Sequence, residues 1–316
     1  TMMQLTYLTF TAPRRDDDAF ASYKNRSKAE LQNMDLNPSS SFSDSITSTL
    51  YSKHPRTLRI KADMVDKMNY DKILSMYQDR FKDASDFTFI LVGNVDVEAV
   101  KPLIESYLGS LPSINRKETF KDNHIAMRKG ICKNEFIRQQ ETPKVNNFIC
   151  YSGTCKYNLR NEILMSMTDQ LLNFIYTEKV REDEGGTYGV YPMGQLIKYP
   201  TEKAVLQIFF NTAPDKQEKL IKIIYDEAEA FAKNGPDEAS LNKVKEYMLK
   251  KHSEDLKENG YWLNSIDEYL YTGIDPVKDY EQIINSITPK DVQQFANELL
   301  KQKNQITVSM ISPEKK

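Results

Sequence analysis

The sequence predicts an α+β protein of two units, the first of which lacks its opening strand and helix. Three observations carry this. At 316 residues the chain is longer than one core usually serves, because single cores rarely keep growing beyond about 250–300 residues. Segments with a two-residue apolar period alternate with segments of helical period, so both element types are present. The order of elements also occurs twice. Residues 5–13, Leu-Thr-Tyr-Leu-Thr-Phe-Thr-Ala-Pro, parallel residues 206–214, Leu-Gln-Ile-Phe-Phe-Asn-Thr-Ala-Pro. Leu50-Tyr51 parallels Leu270-Tyr271, and residues 70–92 parallel 289–311. Far fewer residues precede the first Thr-Ala-Pro than the second, which marks the first unit as truncated and the chain as a fragment of something longer.

In the first unit, residues 5–10 alternate like a strand and are rich in β-formers, and Thr-Ala-Pro at 11–13 breaks the run. Asp16, Asp17 and Asp18 place negative charge where a helix dipole is positive, so a helix is expected from there to about Met34. The polar stretch 37–41 interrupts, and His54-Pro55 marks a turn. Residues 70–84 set Ile73, Leu74, Tyr77 and Phe81 on one helical face. Phe-Thr-Phe-Ile-Leu-Val at 87–92 reads as a buried strand. The Gly93-Asn94-Val95-Asp96 turn then leads into a helix over about 97–108, with Asn94 and Asp96 as capping residues. Pro112 ends the unit. The expected organisation is a first unit over 1–112, a linker over 113–127 and a second unit over 128–316.

In the second unit, strands are expected at 147–151, 187–196, 204–211 and 306–311. Ile163, Leu164, Met167, Leu171, Leu172 and Ile175 predict an amphipathic helix that ends near Arg181. Leu220, Ile223, Ile224 and Phe231 build the next. Asn234-Gly-Pro-Asp-Glu238 is a stop followed by a start, with glycine suited to a helix C-terminus and proline plus acids to a new first turn. Leu241, Val244, Tyr247 and Met248 continue that helix to about Asn259, and more helix follows over 261–302.

Composition excludes several classes of function. Forty-three basic and 45 acidic side chains, a net charge of −2, are mixed along the chain, so no basic stripe argues for nucleic acid. No apolar run approaches the length of a membrane span. Cys132, Cys150 and Cys155 form neither a disulfide framework nor a zinc ribbon. The three histidines, His54, His124 and His252, stand far apart. His252, in Lys250-Lys-His-Ser-Glu-Asp255, is expected on a solvated helix face. Trp262 is expected in packing, and Glu182, Asp183 and Glu184 on a solvated turn. No phosphate loop, nucleophile elbow or cysteine–histidine pair is present.

The segment Arg181-Glu-Asp-Glu-Gly-Gly-Thr-Tyr188 is the main candidate site. Two readings stand. In one, Arg181 neutralises the negative end of a helix dipole and Tyr188 is a half-buried strand aromatic after a glycine-permitted reversal. In the other, the turn presents both side chains to a ligand.

Four segments together resemble a known family: residues 87–96 (Phe-Thr-Phe-Ile-Leu-Val-Gly-Asn-Val-Asp), 107–112 (Tyr-Leu-Gly-Ser-Leu-Pro), the 181–188 turn, and 258–262 (Glu-Asn-Gly-Tyr-Trp). They are similar to the C-terminal half of insulinase/pitrilysin-type (inverzincin) zinc metallopeptidases, in particular the bacterial zinc-protease type. The resemblance implies two metallohydrolase-like (LuxS/processing-peptidase-like) units, each a mixed, mainly antiparallel sheet with helices packed on one face. It implies that zinc belongs to a missing N-terminal half with an H-x-x-E-H motif, and that no metal is bound here. Arg181 would then bind a substrate carbonyl or carboxylate, and Tyr188 would stabilise the developing oxyanion as a catalytic and substrate-binding residue. The implied partners are that N-terminal half and a short or unfolded peptide adding as a strand to a sheet edge, with no nucleic acid and no membrane span. The implied location is a bacterial periplasm or envelope. The competing function is a scaffold or binding subunit of the same superfamily that has lost its chemistry. The fragment alone is expected to be inactive.

Overall fold

The computed structural model describes residues 1–182, Thr187 and residues 189–313, apart from the side chains of Arg181 and Glu182. They form two compact units, Thr1–Asn37 with Arg59–Asn123, and Pro38–Leu58 with His124–Lys316.

The first unit is helical: α1 (Met2–Thr11), α2 (Asp17–Leu36), α4 (Ala62–Asp66), α5 (Tyr70–Phe81) and α6 (Val97–Leu103). Asp16 caps α2 by accepting from the Ala19 amide, and Asp96 caps α6 by accepting from the Ala99 amide, both at the expected helix starts. Residues 5–10, expected as a strand, belong instead to α1. A strand needs a neighbour to take its amides and carbonyls, and this unit has no strand among its described residues. The helix satisfies its own backbone. The threonines that suggested a strand bond back within it: Thr6, Thr9 and Thr11 hydroxyls donate to the carbonyls of Met2, Leu5 and Tyr7. Residues 87–92, expected as a buried strand, form no strand either, for the same reason. Phe87 still packs, its ring 4.8 Å from Phe10. Asp83, 2% exposed, gathers four donors: the Ser85 amide and hydroxyl and the amides of Ile114 and Arg116.

The second unit is built on a sheet of β1 (Ile131–Ile137), β2 (Lys144–Thr154), β3 (Val190–Ile197), β4 (Lys203–Thr212) and β5 (Gln305–Ser312). Their spatial order is β1-β5-β2-β4-β3. Only the β1–β5 pair is parallel; the other three pairings are antiparallel, as a mainly antiparallel mixed sheet requires. The period-2 pattern sorts side chains by face. In β2, Ile149 and Tyr151 join one core cluster while Phe148 and Cys150 join the other. In β4, Leu206, Ile208 and Phe210 join the first, and Val205 and Phe209 the second.

The larger cluster lies under α7 (Leu159–Tyr176), α8 (Gln217–Asn234), α9 (Glu238–Asp255) and α12 (Pro289–Leu300), with α10 (Asn259–Thr272) and α11 (Tyr280–Ser286) between the last two in sequence. Ile163, Leu171, Leu220, Ile224, Val244 and Val292 are each at most 2% exposed, and burying such a side chain stabilises by about 1.5–3 kcal/mol. Asn234-Gly-Pro-Asp-Glu is the stop and start expected: Gly235 ends α8 at φ +73°, and Asp237 caps α9 by accepting from the Ser240 amide at 2.8 Å. A Cβ on Gly235 would lie 2.8 Å from the Gln293 Cβ, so both conformation and space exclude a side chain.

The opposite face carries α3 (Pro38–Leu50), whose Phe42, Ile46 and Leu50 pack on the second cluster. Their spacing of four is helical, but the Ser/Thr-rich surroundings disguise it, and the polar stretch read as an interruption supplies the first turn. Asn134 of β1 fastens α3 by donating to the Ser45 and Thr49 hydroxyls at 3.0 and 2.8 Å.

Candidate functional site

The Arg181–Tyr188 segment lies between α7 and β3 in sequence. The apolar helix expected to end near Arg181 reaches it: α7 passes into a wider, π-type turn over Thr177–Glu182, which contains the Arg181 backbone. The Arg181 side chain and Tyr188 lie outside the described residues. Just before β3, the Thr187 hydroxyl accepts from the Gly189 amide at 3.2 Å and donates to its carbonyl at 3.0 Å. β3 is an edge strand, next to β4 alone.

The two elements that this turn connects wall a cleft of about 1140 Å³. α7 contributes Glu162, Ser166 and Asp169, and β3 contributes Tyr191, Pro192 and Met193. The far wall is α9 and α10, through Tyr247, Lys251, His252, Tyr261 and Glu268, with Tyr280 at the start of α11. A smaller cleft of about 360 Å³ shares Glu268 and holds Tyr199 and Tyr271, whose rings meet edge to face at 5.1 Å.

Carboxyl groups set the character of the larger cleft. The Gly194 amide donates to Asp169 at 3.0 Å, so a side chain of α7 caps the open edge of β3. Burial pushes Asp169 up to about 6, against the lowering effect of the Gly194 and Gln170 amides. Burial likewise pushes Glu162 up to about 7; the Tyr157 hydroxyl lowers it and neighbouring Glu268, with which it shares a hydrogen bond, raises it. Tyr157 donates to Glu268 Oε1 at 2.8 Å, and its own phenol is held well above the ordinary range by burial and by these two acids.

His252 is 5% exposed, not solvated as the flanking charges suggested. It continues the buried stripe Leu241, Val244 and Met248 of α9 by one further turn of four residues. Its ring stacks on Tyr280 at 4.4 Å between centroids, and Nδ1 lies 3.2 Å from the Tyr261 hydroxyl. Trp262, expected in packing, is exposed, its indole N–H donating to the Leu256 carbonyl at 2.8 Å. Cys132, Cys150 and Cys155 are free thiols, and burial pushes Cys150 up to about 12.

The sequence reading missed the cleft acids. A signal was present: Glu162 and Asp169 sit seven apart on an apolar helix with no lysine or arginine three or four positions from either.

Among the described residues no group of three or more His, Cys, Asp or Glu is placed to hold a metal ion. His252, the histidine in the cleft, is engaged with two tyrosines. Among the described residues no helix is long and apolar enough to cross a membrane.

Comparison with known proteins places this architecture. The chain is 21% identical over 307 residues to the "Probable zinc protease PqqL" of Escherichia coli K12, covering 94% of this chain and 32% of that protein. The crystal structure of the periplasmic protease PqqL superposes with a TM-score of 0.83 at 18% identity, over 99% of this chain and 34% of the other. The first half of PqqL, solved separately, also superposes, with a TM-score of 0.77 at 15% identity over 98% of this chain and 69% of the other. The chain therefore spans about a third of the length of the curated relatives that it matches. The model of the peptidase M16 inactive domain matches residues 67–248, more than half of the sequence, and the chain belongs to that family.

Proposed function

We propose that this chain is the metal-free, substrate-binding C-terminal half of a zinc metalloendopeptidase that hydrolyses short or unfolded polypeptides. Arg181 and Tyr188 complete an active site whose zinc is held by an N-terminal half of the same polypeptide. Membership of the M16 inactive-domain family and the zinc-protease relatives support the reading, as does coverage of only a third of those relatives. The periplasmic PqqL supports a periplasmic location.

One observation carries the assignment of the turn. The eight-residue Arg181–Tyr188 segment lies in sequence between the helix and the strand that wall the large cleft, and this supports a role for it beside the site a polypeptide would occupy. A guanidinium there can grip a substrate carbonyl or terminal carboxylate, and a phenol can donate to an oxygen as it gains charge.

The test uses the complete polypeptide. Tyr188→Phe is expected to lower kcat by about 10²–10³ with little change in KM. Unchanged turnover in a folded variant would return Tyr188 to a packing role. The 316-residue chain alone is expected to cleave no peptide and to retain no stoichiometric zinc after dialysis.

A further inference from the structure

We propose that the outer face of α10, the stripe Trp262, Ile266 and Leu270, is a docking surface for an apolar β-sheet face supplied by the rest of the polypeptide. This rests on the reading of the chain as one part of a longer protein and names a surface by which that part joins the remainder.

α10 is amphipathic the wrong way round. Its polar side turns inward: Tyr261 meets the buried His252, Glu268 accepts from Tyr157, and the Thr272 carbonyl accepts from Lys198. Its buried residues are Ser265 and Thr272. The large apolar side chains are left outside, with Trp262 38%, Ile266 36% and Leu270 53% exposed, and Leu263 and Tyr269 exposed beside them. A surface helix normally buries its apolar stripe and wets its polar one. A contiguous apolar stripe left in solvent marks an interaction site.

The internal repeat identifies the kind of surface that covers it. The helices occur twice in the same order, with α2, α3, α4 and α5 answered by α9, α10, α11 and α12. Residues 42–51, Phe-Ser-Asp-Ser-Ile-Thr-Ser-Thr-Leu-Tyr, align without a gap on 262–271, Trp-Leu-Asn-Ser-Ile-Asp-Glu-Tyr-Leu-Tyr. The match continues into the turn, where Lys53 and Gly273 both take a positive φ, 59° and 72°. It sets Phe42 on Trp262, Ile46 on Ile266 and Leu50 on Leu270. In α3 those three residues pack on a cluster drawn from three neighbouring strands: Phe148 and Cys150 of β2, Val205 of β4, and Ile306 and Val308 of β5. The same stripe at the same spacing suits the same kind of surface, a sheet face with an apolar side chain at every second position.

That surface has to come from outside this chain. In the second unit the cluster is already covered by α3, and the first unit has no strand among its described residues. A second copy carries its own α3 on the equivalent residues, so its sheet is taken as well. Self-association through α10 is therefore the competing outcome of the test, and the expected one is burial only in the complete polypeptide.

The experiment compares the 316-residue chain with the complete polypeptide. Ile266→Cys places a thiol on the stripe, and maleimide labelling is followed peptide by peptide by mass spectrometry, so that Cys132, Cys150 and Cys155 are read apart. Each rate is normalised to that of the urea-unfolded protein. The new thiol is expected to react at least about tenfold more slowly in the complete polypeptide than in the chain alone. A photo-crosslinking amino acid in place of Ile266 in the complete polypeptide is expected to join residues outside this chain, at every second position of a strand. Equal labelling in the two proteins would overturn the proposal. So would crosslinks confined to helices, to this chain's own residues or to a second copy. Folding is checked by circular dichroism, and should the Ile266 variants fail to fold, the same two measurements at Leu263, on the edge of the stripe, decide. Labelling reads burial and needs no turnover, so this proposal and the role given to Tyr188 can fail separately.

Discussion

The Tyr157 hydroxyl donates to Glu268 across 2.8 Å and so ties the segment ahead of α7 to the middle of α10. Tyr157 is itself 8% exposed, and the acid that it holds lines both clefts. One hydrogen bond therefore fixes the distance between two walls of the candidate site.

Tyr157→Phe should cost about 1–2 kcal/mol at pH 8 and less at pH 5, where Glu162, raised to about 7, carries a proton that it can donate in place of the phenol. Urea denaturation at the two pH values reads this, and an equal loss at both would disconnect Tyr157 from the acid pair.

Glu162 and Asp169 set a pH dependence whose sign follows from burial. Both are raised in the folded state, to about 7 and about 6 from ordinary values of 4.5 and 3.8. Their stabilising contribution is complete below those ordinary values and is lost as pH rises through 6 and 7, because the folded chain binds more protons than the unfolded one. Stability of the second unit should thus fall between pH 5 and pH 8. Glu162→Gln should flatten the fall and stabilise at pH 8 by about 1 kcal/mol, a figure reduced to allow for the solvent-facing part of the carboxyl.

Asp83 has the opposite sign. Burial alone would raise it, but the Ser85 hydroxyl and the amides of Ser85, Arg116 and Ile114 together outweigh this and hold it well below its ordinary 3.8. Its stabilisation is present above 3.8 and disappears as pH falls further. Asp83→Asn should speed hydrogen exchange at the Ile114 and Arg116 amides by about tenfold at pH 7. Unchanged exchange would mean that other contacts hold the segment.

Gly235→Ala should destabilise by about 2–3 kcal/mol, since φ +73° with ψ −179° is open to glycine alone and the new methyl would meet Gln293. A shift of the denaturation midpoint with an unchanged slope is the expected result.

How much was legible in the sequence varies with how local the cause is. The Asn234–Glu238 junction, the Asp16 and Asp96 caps and the apolar face of α7 follow from neighbouring residues, and each was readable. Residues 5–10 and 87–92 were not, because a strand exists only where a second strand meets it, and neither pairs here. α3 escaped because Phe42, Ile46 and Leu50 are embedded in serine and threonine. His252 was misplaced by its charged neighbours in sequence, while its environment is set by residues four and eight positions back and by Tyr280, on which its ring stacks. The cleft acids depend on elements far apart in the chain, and no local pattern joins Glu162 to Glu268.

The cap that Asp169 places on Gly194 has a further effect. Two positions earlier on the same side of the border strand, Pro192 has no amide hydrogen at all. That rim of the sheet therefore offers no free donor at either site for a stray extended chain to zip onto, which guards the fold against stacking into fibrils.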